Sequence, residues 1–194
     1  MRFSALAALL LFSVLASVAF AFGAARCAAG PRTLSAEDRA KLQEYILDSA
    51  PADIPHTLDV DFDGKVHLIG YDFRPEAARP GQQVRLTFWW RCDAPVGDGW
   101  MLFTHVQDPG GAVTSLDFKG PLREQRDYHQ LLGPDRWEKG KVYVDSQAYT
   151  IPADFAGAEL TVYVGIWKGH DRMSIRGAGA AGDNRALVGK IQTR

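Results

Sequence analysis

From Leu58 to the C-terminus, apolar and polar residues alternate with the period of two that marks half-buried strands. Leu58 to Phe62 and Lys65 to Phe73 read as a hairpin, joined at Asp63 and Gly64, where a tight turn demands positive φ. Arg79, Pro80 and Gly81 form a turn. Gln83 to Cys92 is the clearest strand: Val84, Leu86, Phe88, Trp90 and Cys92 share one face, and Arg85, Thr87, Trp89 and Arg91 the other. Trp100 to Gln107 and Ala112 to Phe118 pair across the turn residues Asp108 to Gly111. A charged loop region spans Lys119 to Lys139. Strands resume at Lys141 to Ile151, Leu160 to Trp167, Arg172 to Arg176 and Ala186 to Gln192, with a small-residue loop at Gly177 to Gly182. Before these strands, Leu42, Tyr45 and Ile46 recur at helical spacing. Ser35 is placed to cap that helix, Glu37 and Asp38 suit its first turn, and Pro51 and Pro55 stop it, so one amphipathic helix is predicted over Ala36 to Ser49. Its apolar stripe is expected to dock on the strands; binding of a partner is the alternative.

About nine short strands and a single helix predict a mainly β chain, an antiparallel β-sandwich or jelly roll with one N-terminal amphipathic helix. The 194 residues, 46% of them hydrophobic, suffice for one packed domain with an N-terminal extension. Net charge is -1, with Lys and Arg scattered among Asp and Glu, so the basic stripe of a nucleic-acid binder is missing. Two cysteines, Cys27 and Cys92, are too few for a disulfide-built scaffold. Two readings of them fit: they pair in an oxidising compartment, or Cys92 is a small buried apolar residue.

The N-terminal stretch changes the picture more. Arg2 precedes an almost wholly apolar run from Phe3 to Ala25, with small residues at Ala19 and Ala21. This is the pattern of a signal peptide over residues 1–21, with cleavage after Ala21 or, failing that, after Ala25. The run is also long enough to stay as an uncleaved anchor to about residue 25. A lipidated Cys27 is the third reading, against which Arg26 and Ala24 stand. Each puts the remainder outside the cytoplasm: periplasmic, in the cell envelope or extracellular. The expected plan is the signal segment, a linker and helix over 22–57, and the sandwich over 58–194.

Five phrases carry a resemblance: His67 to Phe73, Arg79 to Gln82, Leu86 to Trp90, Phe103 to Gly110 and Arg136 to Gly140. Their order and spacing resemble a bacterial exported β-sandwich envelope module, similar to sandwich domains attached to membrane glycosyltransferase-type proteins. The likeness runs from Leu58 to the C-terminus. It implies a fold and a compartment, and it brings no catalytic residues.

Candidate chemistry is sparse. Asp59, Asp61, Asp63 and Gly64 have the form of a calcium loop, but the twelfth position, where an acidic ligand belongs, is Gly70. A hairpin with its carboxylates on the outer edge explains the run better. His56, His67, His105, His129 and His170 form no local zinc pattern. His105 is expected to be structural, and His170 and Asp171 sit in a loop, where binding groups gather. No nucleophile elbow or reactive cysteine context is present, so no catalytic residue, cofactor or metal is expected. The aromatics are more informative. If Leu160, Val162, Val164 and Ile166 face the core, Tyr163 and Trp167 face away from it, as Trp89 does on its own strand. Beside Arg85 and Arg91, such rings would stack on a sugar or pack a peptide, unless a second layer covers them. The candidate ligand-binding set is therefore Trp89, Arg85, Arg91, Tyr163 and Trp167 on one face or, alternatively, the loop that holds Tyr128 and His129. The expectation is a non-enzymatic envelope module that binds a glycan or a protein. The rival is an assembly subunit without a small-molecule site.

Overall fold

The computed structural model describes residues 35–116 and 132–194, and the expected signal segment lies outside them. The chain opens with α1 (Ala36–Leu42), capped as its sequence dictates: the Ser35 side chain accepts a hydrogen bond from the Asp38 amide at 3.0 Å. The helix is shorter than the predicted span. It tightens into a 3-10 turn at Gln43–Tyr45, then Ile46 and Leu47 become the edge strand β1, paired with Tyr143 and Val142. Tertiary pairing overrides the helical spacing there. Docking is as expected: Leu42 is buried, and Tyr45 and Ile46 pack on the core.

The strands are β2 (His56–Phe62), β3 (Val66–Arg74), β4 (Ala77–Ala78), β5 (Gln83–Cys92), β6 (Met101–Gln107) and β7 (Val113–Ser115), followed by β8 (Val142–Thr150), β9 (Glu159–Lys168), β10 (Asp171–Arg172), β11 (Ile175–Gly177), β12 (Ala180–Ala181) and β13 (Arg185–Thr193). They form two sheets. The first runs β1-β8-β5-β3-β2-β11; the second runs β12-β13-β9-β6-β7, with β10 beside β9 and β4 parallel to β13. This is the mainly β sandwich that the alternation predicts. The β2–β3 hairpin turns at Asp63 and Gly64, with φ of 56° and 65°, and the Lys65 amide donates back to the Phe62 carbonyl.

The core lies between the sheets. Val84, Leu86, Phe88, Trp90 and Cys92 of β5 are all fully buried, and so are Val162, Val164 and Ile166 of β9, with Leu160 nearly so. Cys92 is a free buried thiol. Trp137, from the end of the predicted charged loop, joins this core: its ring stacks on Tyr143 at 4.8 Å, and its Nε1 donates to the Leu132 carbonyl at 2.8 Å. A polar tie crosses the interior. Gln147 of β8 donates through Nε2 to Thr104 Oγ1 of β6 at 3.0 Å, holding sheet to sheet.

Candidate functional site

The structure does not bring the predicted aromatic set together. Trp89, Arg85 and Arg91 sit on β5, on the outer face of the first sheet. Tyr163 and Trp167 sit on β9, on the outer face of the second. All point away from the core, as alternation requires, but on opposite sides of the sandwich. The single face assigned to them from the sequence is therefore two faces. Tyr128 and His129 lie outside the described residues.

On the first sheet, Trp89 is half-buried between Gly70 of β3 and Val144 of β8. Of its two charged neighbours on β5, Arg91 is already committed. Arg91 makes a two-pronged pair with Asp93, Nε to Oδ1 at 2.8 Å and Nη2 to Oδ2 at 2.9 Å, and this hydrogen bonding holds the guanidinium pKa above its ordinary value. The three acidic residues of the calcium-like run are committed as well. Asp59 meets His67 Nδ1 at 2.8 Å, Asp61 accepts from the Gly64 amide at 2.6 Å, and Asp63 pairs with Lys65 at 2.7 Å. The run is the end of β2 and its hairpin turn, as its period of two implies.

The second sheet carries the better-formed site. Along β9 the outward positions are Thr161, Tyr163, Gly165 and Trp167; β6 sets His105 opposite Tyr163, Phe103 opposite Gly165 and Met101 opposite Trp167. Gly165 makes a hollow, and the Phe103 ring fills it. A β-carbon at position 165 would lie 2.3 Å from Phe103 Cζ, a distance real side chains do not tolerate. That is how an outward-facing phenylalanine comes to be 3% exposed. The Arg172 guanidinium lies 5.0 Å above the Phe103 ring, and the His105 ring is 4.7 Å from it. Around this floor is a cavity of about 280 Å³, lined by Phe103, His105, Trp167, His170, Asp171 and Arg172.

One carboxylate organises the cations. Arg172 Nη1 donates to the Asp183 backbone carbonyl at 3.0 Å and to Asp183 Oδ2 at 2.8 Å, while Arg185 Nε donates to Asp183 Oδ1 at 2.8 Å. Burial works to raise the Asp183 carboxyl pKa; hydrogen bonds from Arg185 and Arg172 overcome this and hold it below its ordinary range. Arg185 in turn lies 4.4 Å over the Tyr163 ring. That ring face is occupied by a cation, so Trp167, half-buried at the cavity wall, is the indole available to a ligand.

Phe103, Arg172, Asp183 and Arg185 were not singled out by sequence reasoning. The loop placement of His170 and Asp171 was the available signal, and both line the cavity. His105 has its ring against Phe103 as part of the same wall.

No family model matches the chain, and no curated protein matches it. Among solved structures 12 chains match. One is the C-terminal domain of Wzt, at 12% identity and a TM-score of 0.47, over 76% of this chain and 81% of that one.

Proposed function

We propose that this chain is a non-enzymatic glycan-binding module and that it binds at the cavity on the outer face of the second sheet. The observation that supports this reading most is the meeting of an available indole, Trp167, with hydrogen-bonding groups of both kinds in one hollow. Arg172 donates, Asp171 accepts, and His105 and His170 line the same wall. A pyranose ring has the matching surfaces: an apolar C–H face that stacks on an aromatic ring and a rim of hydroxyls that both donate and accept. Among the described residues the cavity lining supplies one carboxylate, that of Asp171, whereas glycosidic cleavage ordinarily uses two facing each other. That supports binding without turnover.

The apolar run from Phe3 to Ala25 supports export, so the partner glycan belongs to the cell envelope or its surroundings. Fractionation of a tagged chain with N-terminal sequencing tests the compartment; recovery from the cytosol with Met1 intact refutes it. A glycan array probed with the exported chain tests the ligand class. Binding to at least one carbohydrate, lost on Trp167→Ala with the melting temperature kept, is the expected result.

A second reading, an assembly subunit, is favoured by one feature. Leu187, beside Tyr163 in register, is 38% exposed, and Val113 on β7 is 47% exposed. A pull-down from envelope extract that enriches one protein, with every glycan on the array silent, would select this reading instead.

A further inference from the structure

We propose that the second sheet receives the end of a glycan chain, one or two rings deep, and not a stretch of chain laid along the strands. The proposal rests on the glycan-binding reading and adds the mode of recognition.

Sheet geometry alone would allow a long lane. Tyr163 and Trp167 project from the same face of β9, four residues and about 13 Å apart. Two rings at that spacing make a platform for an extended chain. Three observations close the lane. Tyr163 already has the Arg185 guanidinium on its face at 4.4 Å. Arg185 is not loose there, because Asp183 holds it at 2.8 Å. The same Asp183 holds Arg172, which lies over Phe103 in the Gly165 hollow, midway between Tyr163 and Trp167. Arg185, Asp183 and Arg172 thus form a bar across the lane between the two aromatic positions. At the far end the chain turns back: Lys168 pairs with Asp171 and Trp167 with Arg172, so the β9–β10 hairpin walls the cavity beyond Trp167. The open-sided hollow of about 280 Å³ falls just below the ~300 Å³ at which pockets for drug-sized ligands begin.

The bar carries a net positive charge. Two guanidiniums share one carboxylate, and each finds a second interaction on an aromatic face. Arg172 commits only Nη1 to Asp183 and lines the cavity, so its remaining N–H groups are placed to meet the hydroxyls of a terminal sugar. Arg185 has the opposite role, a specificity-determining one: it covers the ring on which the next sugars would stack.

The test is calorimetric titration of the full exported chain with gluco-, manno-, galacto- and rhamno-oligosaccharides of one, two, four and six residues. The expected result is affinity that rises to the disaccharide and then changes by less than twofold up to the hexasaccharide. A tenfold or greater rise from two to six residues would overturn end-on recognition while leaving glycan binding intact. Silence from every oligosaccharide overturns the proposal together with the glycan reading. Arg185→Ala uncovers Tyr163, so in that variant the hexasaccharide should gain about fivefold or more over the disaccharide; an unchanged plateau refutes the bar. If that variant does not fold, Arg185→Gln removes the cation from the Tyr163 face, leaves the Arg172–Asp183 pair in place and serves the same comparison. Adding Tyr163→Ala to the uncovered variant should abolish the gain.

Discussion

Trp90→Ala tests the phase of β5, on which the assignment of every outward residue depends. Trp90 is fully buried, with Phe62 edge-on at 5.4 Å and Trp137 tilted at 6.1 Å. A buried tryptophan removes roughly 150–250 Å² from water, which at about 25 cal/mol per Å² amounts to about 4–6 kcal/mol. One term opposes this. The Trp90 indole N–H is buried without a hydrogen-bond partner among the described residues, and such a group costs about 1–3 kcal/mol that the alanine variant no longer bears. The net loss is about 3 kcal/mol, at the lower end of the usual range for truncating a large core aromatic. With a urea slope of about 2 kcal/mol per molar, the unfolding midpoint should fall by about 1.5 M. Trp90→Phe keeps most of the ring and discards the unpartnered N–H, so it should cost less than half as much. An alanine midpoint equal to that of the parent chain would mean that β5 turns its other face inward, and the whole partition into core and outer faces would fall with it.

Gly165→Ala should destabilise by about 1–3 kcal/mol, because its methyl group collides with Phe103; a melting temperature equal to that of the parent chain would refute the Phe103 floor. Burial pushes the Cys92 thiol up to about 11 from an ordinary 9.0. The folded state thus keeps a proton that the unfolded state loses, so stability should fall by about 2–3 kcal/mol as pH rises from about 9 to about 11. Urea midpoints should show a shallower fall over that range for Cys92→Ala, and an identical slope would contradict the assignment. The melting temperature should be the same in calcium and in chelator, since Asp59, Asp61 and Asp63 are engaged by His67, the Gly64 amide and Lys65. A substantial rise with calcium would make them ligands instead.

Alternation made the sandwich legible. It gave β5 its limits of Gln83 and Cys92, its buried residues and its outward ones, because a period of two separates inside from outside on any strand. It carries no information on which sheet a strand joins. Trp89 and Trp167 were both read correctly as outward, yet a sandwich has two outsides, and only the order of strands places them on different ones. The helix erred for a related reason: Ile46 keeps helical spacing with Leu42, but pairing with Tyr143 draws it into a sheet edge. The cavity was hidden because it depends on register. Phe103 reads as an outward aromatic until Gly165 is found opposite it, and Tyr163 reads as an exposed platform until Arg185 is found on top of it. Residues about sixty and twenty apart in the chain meet there, and no local pattern announces them.

The central claim is that a glycan binds on the second sheet and not on the first. The most direct measurement is a paired titration of Trp167→Ala and Trp89→Ala with the oligosaccharide panel, each variant first matched to the parent chain in melting temperature. The two indoles are both outward and half-buried, and they lie on opposite faces of the sandwich. The account predicts that Trp167→Ala weakens binding at least tenfold and that Trp89→Ala leaves it within twofold. Binding lost with Trp89, or kept without Trp167, would contradict it.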